Sequence, residues 1–147
     1  MKISKKTEYA MRTVLDLGLR VKKESPARVA DIARRQHIPP KFLEQILLTL
    51  KTAGIVESRR GLKGGFLLAK QPSEITLASI LSATEGSLKN KSDVPEDLPH
   101  WQKNSPFNEV WKDIDDYTIN KLEKITLHDM CKRAFELFNN NTIEYVI

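Results

Sequence analysis

The chain has 147 residues, 40% hydrophobic and 29% charged, enough apolar matter for a packed core, which excludes general disorder. Its formal net charge of +5 is unevenly spread: residues 1–72 carry 16 Lys or Arg against 6 Asp or Glu, and residues 73–147 carry 8 against 13. No apolar run approaches the ~20 residues of a membrane helix, so no membrane partner is expected, and the basic first half suits a polyanion.

Ser4 can cap a first helix. Ala10, Val14, Leu17 and Val21 follow at helical spacing, with Met11 and Leu15 widening the stripe, and the pattern predicts a helix to about Lys22. Ser25-Pro26 breaks it. Val29 to Gln36 reads as a short second helix with Val29, Ile32 and Ala33 inward. His37-Ile38-Pro39-Pro40 is a turn. A third helix runs from Pro40, where a missing N–H costs nothing, to Thr52, and Gly54 stops it.

Val56 to Arg59 and Gly65 to Leu68 are short strands. Gly61, Gly64 and Gly65 are expected to supply the positive φ angles of their tight connection, and Pro72 ends the hairpin. Thr76 caps a fourth helix, Leu77 to Glu85, closed by Gly86. Residues 87–105 are polar, hold Pro95 and Pro99, show no period and are expected to be a loop or linker. A long helix from Pro106 to Lys124 carries Phe107, Val110, Trp111, Ile114, Tyr117, Thr118, Leu122 and Ile125 on one side. Its other side is charged. Thr126 to Asp129 looks like the capped start of a last helix that reaches Phe138 and ends at Asn139-Asn140-Asn141. Thr142 to Ile147 is then expected to dock as an extended tail.

The fold class is therefore mainly α with a small β wing. A winged helix-turn-helix head occupies residues 1–86, a linker 87–105, and a dimerisation and effector region 106–147. A protruding helix beside a charged hairpin suits the grooves of double-stranded DNA. At ~100° per residue, Leu43, Ile46, Leu47 and Leu50 of the third helix face inward. Lys41, Glu44, Gln45, Leu48 and Thr52 face outward. Gln45 can offer a donor and an acceptor to an adenine edge, Glu44 can accept from a cytosine amino group, and Lys41 can reach guanine or phosphate. Phosphates repel a carboxylate, so Glu44 is costly unless it reads a base or holds a neighbouring side chain. An ordinary solvent face is the alternative for each. At the hairpin tip, Arg59, Arg60, Gly61 and Lys63 fit a narrow minor groove or phosphates. Lys2, Lys5 and Lys6 can reach phosphate together with nearby helix N–H groups, and the cap Ser4 is counted with them among the expected DNA-binding residues.

Several spaced motifs carry a family resemblance. They are the opening Met-Lys-Ile-Ser with Tyr9-Ala10, Ala30-Asp31-Ile32-Ala33 and Phe42-Leu43-Glu44-Gln45-Ile46-Leu47. Gly54-Ile55-Val56, Arg60-Gly61, Gly64-Gly65-Phe66-Leu67-Leu68 and Ile75-Thr76-Leu77 complete the set. In this order they resemble the Rrf-two family of bacterial winged-helix transcription regulators, closely over residues 1–86 and in architecture beyond. The resemblance implies a homodimer joined through the long C-terminal helices. It also implies that Glu44 and Gln45 sit where bases are read and that Arg60 with Gly61 enters the minor groove. Lys41 and Pro39 replace small polar residues common in the family, which points to a different sequence preference. The repressor sign rests on the resemblance alone.

Several members bind an iron–sulfur cluster through cysteines in the connection before the dimer helix. Here that connection has no cysteine, so no cofactor is expected and the chain looks like the cluster-free branch. The dimerisation residues are read as Phe107, Val110, Trp111, Ile114, Tyr117 and Leu122, because a detached amphipathic helix must bury its stripe and a second copy is the economical partner. Packing wholly against its own domain is the other reading.

His128 and Cys131 share a helix face but are too few for a structural zinc, and no metal site is expected. One thiol makes no internal disulfide, which fits a bacterial cytoplasm. A redox role for Cys131 needs a depressed pKa, at which Lys132 and Arg133 only hint. His100-Trp101 could line a site for a small-molecule or protein effector or simply anchor the loop. No nucleophile-and-base pair, phosphate-cradling loop or multi-ligand metal pattern suggests an enzyme. The rival readings are a winged helix that binds protein, and a thiol-responsive regulator acting through Cys131.

Overall fold

The computed structural model describes residues 2–21, 25–89, 95–103 and 105–146, with backbone alone for 141–146. Three helices, α1 (Lys5–Leu19), α2 (Val29–Gln36) and α3 (Pro40–Thr52), lead into the antiparallel strands β1 (Val56–Arg59) and β2 (Gly65–Leu68). A 3-10 turn at Pro72–Glu74 leads to α4 (Leu77–Glu85), and α5 (His100–Lys103), α6 (Pro106–Lys124) and α7 (Leu127–Val146) follow. The fold is mainly helical with a small β wing.

The core of the head is one cluster. Ala10, Val14 and Leu17 of α1 meet Ile32 and Ala33 of α2, Leu43, Ile46, Leu47 and Leu50 of α3, and Ile55, Val56, Ile75 and Ile80. The strands pair Val56 with Leu68 and Arg59 with Gly65. Ala27, just before α2, adds a third edge: its N–H donates to the Phe66 oxygen and its oxygen accepts from the Phe66 N–H, both over 2.8 Å.

The division into 1–86, 87–105 and 106–147 does not divide this core. Leu127, at the start of α7, is 2% exposed and belongs to the head cluster. Its N–H donates to the Ile75 oxygen over 2.7 Å, and the Leu77 N–H donates to the Ile125 oxygen over 2.9 Å. Sequence periodicity carries no trace of such a long-range pairing.

Four expectations need correction. The first helix ends at Leu19, not near Lys22, which lies outside the described residues; Gly18 weakens its last turn, and Val21 is exposed. The linker is not structureless, since α5 forms within it. Asn139 to Asn141 do not stop the last helix, and the tail is helical to Val146; Ile147 lies outside the described residues. Asparagine costs a helix less than about 0.7 kcal/mol per residue, and neither Gly nor Pro forces an exit there. Finally, Gly61 and Gly65 have positive φ but Gly64 does not. Gly64 is needed for space, because a Cβ there would stand 2.4 Å from the Arg59 main-chain oxygen.

Candidate nucleic-acid interface

The turn before α3 decides what that helix presents. His37 adopts a left-handed conformation (φ 52°), Ile38 plugs into the core at 3% exposure, and Pro40 starts the helix without losing a hydrogen bond. Leu43, Ile46, Leu47 and Leu50 are fully buried, which turns Lys41, Glu44, Gln45, Leu48 and Thr52 outward; all five are exposed. Among the described residues no cation or hydrogen-bond donor pairs with Glu44, so the option that it holds a neighbouring side chain is not realised.

The wing is braced from two sides. Lys51 Nζ, in the last turn of α3, donates to Ser58 Oγ of β1 over 2.8 Å. Arg28 Nη2 donates to the Leu62 main-chain oxygen at the tip over 2.5 Å. Gly61 takes φ +113° between them. The result is a tip that exposes Arg59, Arg60, Gly61, Leu62 and Lys63. Arg59 is partly neutralised by Glu57 at 3.6 Å, while Arg60 and Lys63 have no acidic partner among the described residues.

The start of α1 differs from expectation. Ser4 caps the helix, accepting from the Thr7 N–H over 3.2 Å. The Glu85 carboxylate, at the end of α4, also sits there: it accepts the Ser4 N–H over 3.2 Å and the hydroxyls of Ser4 and Thr7. Hydrogen bonds from Ser4, then from Thr7, hold the Glu85 carboxyl below its usual range. The Ser4 hydroxyl and N–H are therefore occupied by a carboxylate and not open to a phosphate. Lys5 pairs with Glu8 at 3.2 Å and lies over the Tyr9 ring, Lys6 is half-buried, and Lys2 is exposed.

Two groups escaped the sequence reading. Arg12 donates to the Gln36 main-chain oxygen at the helix-turn-helix corner and stacks on Tyr9, whose ring meets Phe42 of α3 edge-on at 5.5 Å. Asp16, 6% exposed, accepts from Arg35 Nε and Nη2 over 3.0 and 2.6 Å and from Gln36 Nε2 over 3.0 Å. Burial alone would raise the Asp16 carboxyl, but those hydrogen bonds and the charges of Arg35 and Arg20 outweigh it and hold it low. One signal was present: an acidic residue directly beside the buried Leu17.

On α6 no residue is buried. Phe107, Val110, Trp111, Ile114 and Tyr117 of the stripe are all at least half exposed, and Leu122 is half-buried near the head. An open groove of about 690 Å³ runs beside α6, lined by Lys89, Lys103, Asn108, Trp111, Lys112, Asp115 and Asp116. His100 and Trp101 do not line it. Cys131 is half-buried against Gly18, whose added Cβ would meet its Sγ at 2.7 Å, and burial pushes the thiol's pKa up. Among the described residues no group of three or more His, Cys, Asp or Glu is placed to hold a metal ion, and no helix is long and apolar enough to cross a membrane.

The chain is similar to known proteins along most of its length. The family model Rrf2, described as an iron-dependent transcriptional regulator, matches residues 3–133. A candidate helix-turn-helix-type transcriptional regulator of Synechocystis is 34% identical, with all of both chains covered. The transcriptional regulator IscR of Pectobacterium atrosepticum is 32% identical over 88% of this chain and 79% of its own. Among solved structures, CymR, the global cysteine regulator of B. subtilis, has a TM-score of 0.75 at 31% identity, covering 90% of this chain and 98% of its own. IscR of T. potens has a TM-score of 0.73 at 30% identity, covering 91% and 88%. All four are transcription regulators and none an enzyme.

Proposed function

Because this chain belongs to the Rrf2 (Rrf-two) family of transcriptional regulators, we propose that it binds DNA sequence-specifically as a homodimer, acting as a repressor on a pseudo-palindromic operator in a bacterial cytoplasm. The observation that carries this reading is the pairing of an exposed polar face on α3 with a wing tied to the same helix through Lys51 and Ser58. Gln45 and Glu44 read base edges in the major groove, while Arg60 and Gly61 follow the adjacent minor groove.

The exposed α6 stripe supports a two-fold dimer with two such heads, roughly 34 Å apart. Occupying a promoter would block polymerase. An effector bound in the groove beside α6 would act by changing the spacing of the heads.

The family description names iron, yet the donors of this chain do not fit an iron–sulfur cluster. The connection 87–105 contains no cysteine, and the one thiol, Cys131, is packed against Gly18 on another helix. The proposed regulator therefore works without one. A raised thiol pKa also speaks against the redox-responsive reading, since the thiolate is the reactive form.

Selection of bound duplexes from a random pool tests the proposal. Enrichment of a two-fold symmetric sequence supports it. Failure to enrich any sequence would leave a winged helix that binds protein as the better reading.

A further inference from the structure

Resting on the proposed DNA-binding reading, we infer that Leu48 reads a thymine methyl group in the major groove, once in each half-site. Leu48 is 64% exposed in the middle of α3. At ~100° per residue it falls between Glu44 and Gln45, about 40° and 60° to either side, with Lys41 and Thr52 about 20° and 40° away on the Gln45 side. It thus stands at the centre of the reading face, most of its surface open to solvent.

The polar groups around it are already committed. Thr49 donates its hydroxyl to the Gln45 oxygen and Thr52 its hydroxyl to the Leu48 oxygen, each over 3.0 Å. Each hydroxyl has a single proton to give. Lys51 donates to Ser58 Oγ over 2.8 Å. Lys51 keeps two further N–H groups, but its ammonium is turned toward the wing. Beyond Gln45, then, the outer face of α3 offers an isobutyl group flanked by two threonine hydroxyls with no proton left to give. The major-groove edge of DNA carries one apolar group, the C5-methyl of thymine. Recognition along α3 divides accordingly: hydrogen bonds from Lys41, Glu44 and Gln45 in its first half, methyl contact from Leu48 in its second.

The test uses the full-length protein and its selected operator. Each symmetric pair of thymines is replaced in turn by deoxyuridine, which removes only the methyl. For the natural protein one pair should weaken binding about fourfold per half-site and about fifteenfold together. Leu48→Ser should lose that sensitivity at that pair and no other, and Leu48→Met, which keeps an apolar contact, should retain it. Because Leu48 is exposed, both variants should unfold at the natural midpoint. Insensitivity at every thymine, or the same sensitivity in Leu48→Ser, overturns the assignment while leaving DNA binding intact. Absence of any selected operator would overturn the DNA-binding reading, and this inference with it.

Discussion

Arg28 holds Leu62: the guanidinium before α2 donates to the main-chain oxygen at the tip of the wing over 2.5 Å. The Ala27–Phe66 pair fixes the strand next to it. A segment outside the hairpin thus limits how far the tip can swing. Removing Arg28 should loosen the tip without touching the core. Arg28→Ala is expected to speed amide exchange at residues 61–64 and weaken operator binding about fivefold, the effect of roughly 1 kcal/mol for one exposed charged hydrogen bond. The unfolding midpoint should fall only slightly, by no more than the same ~1 kcal/mol. Unchanged exchange at the tip would show that the brace does not act in solution.

The two wing arginines should differ. Arg59 is paired with Glu57 at 3.6 Å, and Arg60 has no acidic partner among the described residues. Arg60→Ala should weaken operator binding more than tenfold and lower the salt slope by about 0.9 per protomer. Arg59→Ala should cost less, because releasing Glu57 is part of its contact. Equal losses in filter-binding titrations would contradict this ranking.

Ile114 lies mid-stripe on α6 and is 50% exposed. Ile114→Asp should give a folded monomer by sedimentation, since no α6 side chain is buried within the single chain. Losing the second head should reduce operator affinity on the order of a hundredfold. A dimer that survives the substitution would move the interface elsewhere.

Asp16 anchors α2 to α1 through Arg35 and Gln36. Asp16→Asn should destabilise the fold by about 2–3 kcal/mol at neutral pH, below the range for a fully buried pair because Arg35 is a quarter exposed. The carboxyl's pKa is lower folded than unfolded, so the unfolded chain takes up the proton first as pH falls. The stabilisation is complete above the unfolded pKa of about 4 and is lost as pH drops through the folded value. Urea midpoints of natural and variant protein should therefore converge as the pH falls below about 4. A constant gap across that range would contradict the charge-based account.

The elements that were legible in the sequence are those with local signals at both ends. The third helix starts at Pro40 and stops before Gly54; the fourth lies between Thr76 and Gly86; the hairpin is set by Gly61 and Gly65. Their observed bounds agree with the expected ones. The outward set on α3 was legible for the same reason, since a 3.6-residue period assigns its faces. What was not legible depends on partners far along the chain. Glu85 meets Ser4 across 81 residues, Leu127 enters a core built by the first half, and Arg28 reaches a tip 34 residues away. No spacing rule connects such positions. The length of α7 was missed because an asparagine run is a weak stop when no glycine follows it.

Binding to random-sequence duplex, followed against salt concentration, tests the central claim most directly. A basic head that meets phosphates through Lys41, Arg60 and Lys63 should bind measurably at about 50 mM salt and lose affinity steeply, with a log–log slope near −0.9 for each phosphate neutralised. Negligible affinity at low salt, or an affinity indifferent to salt, would contradict it.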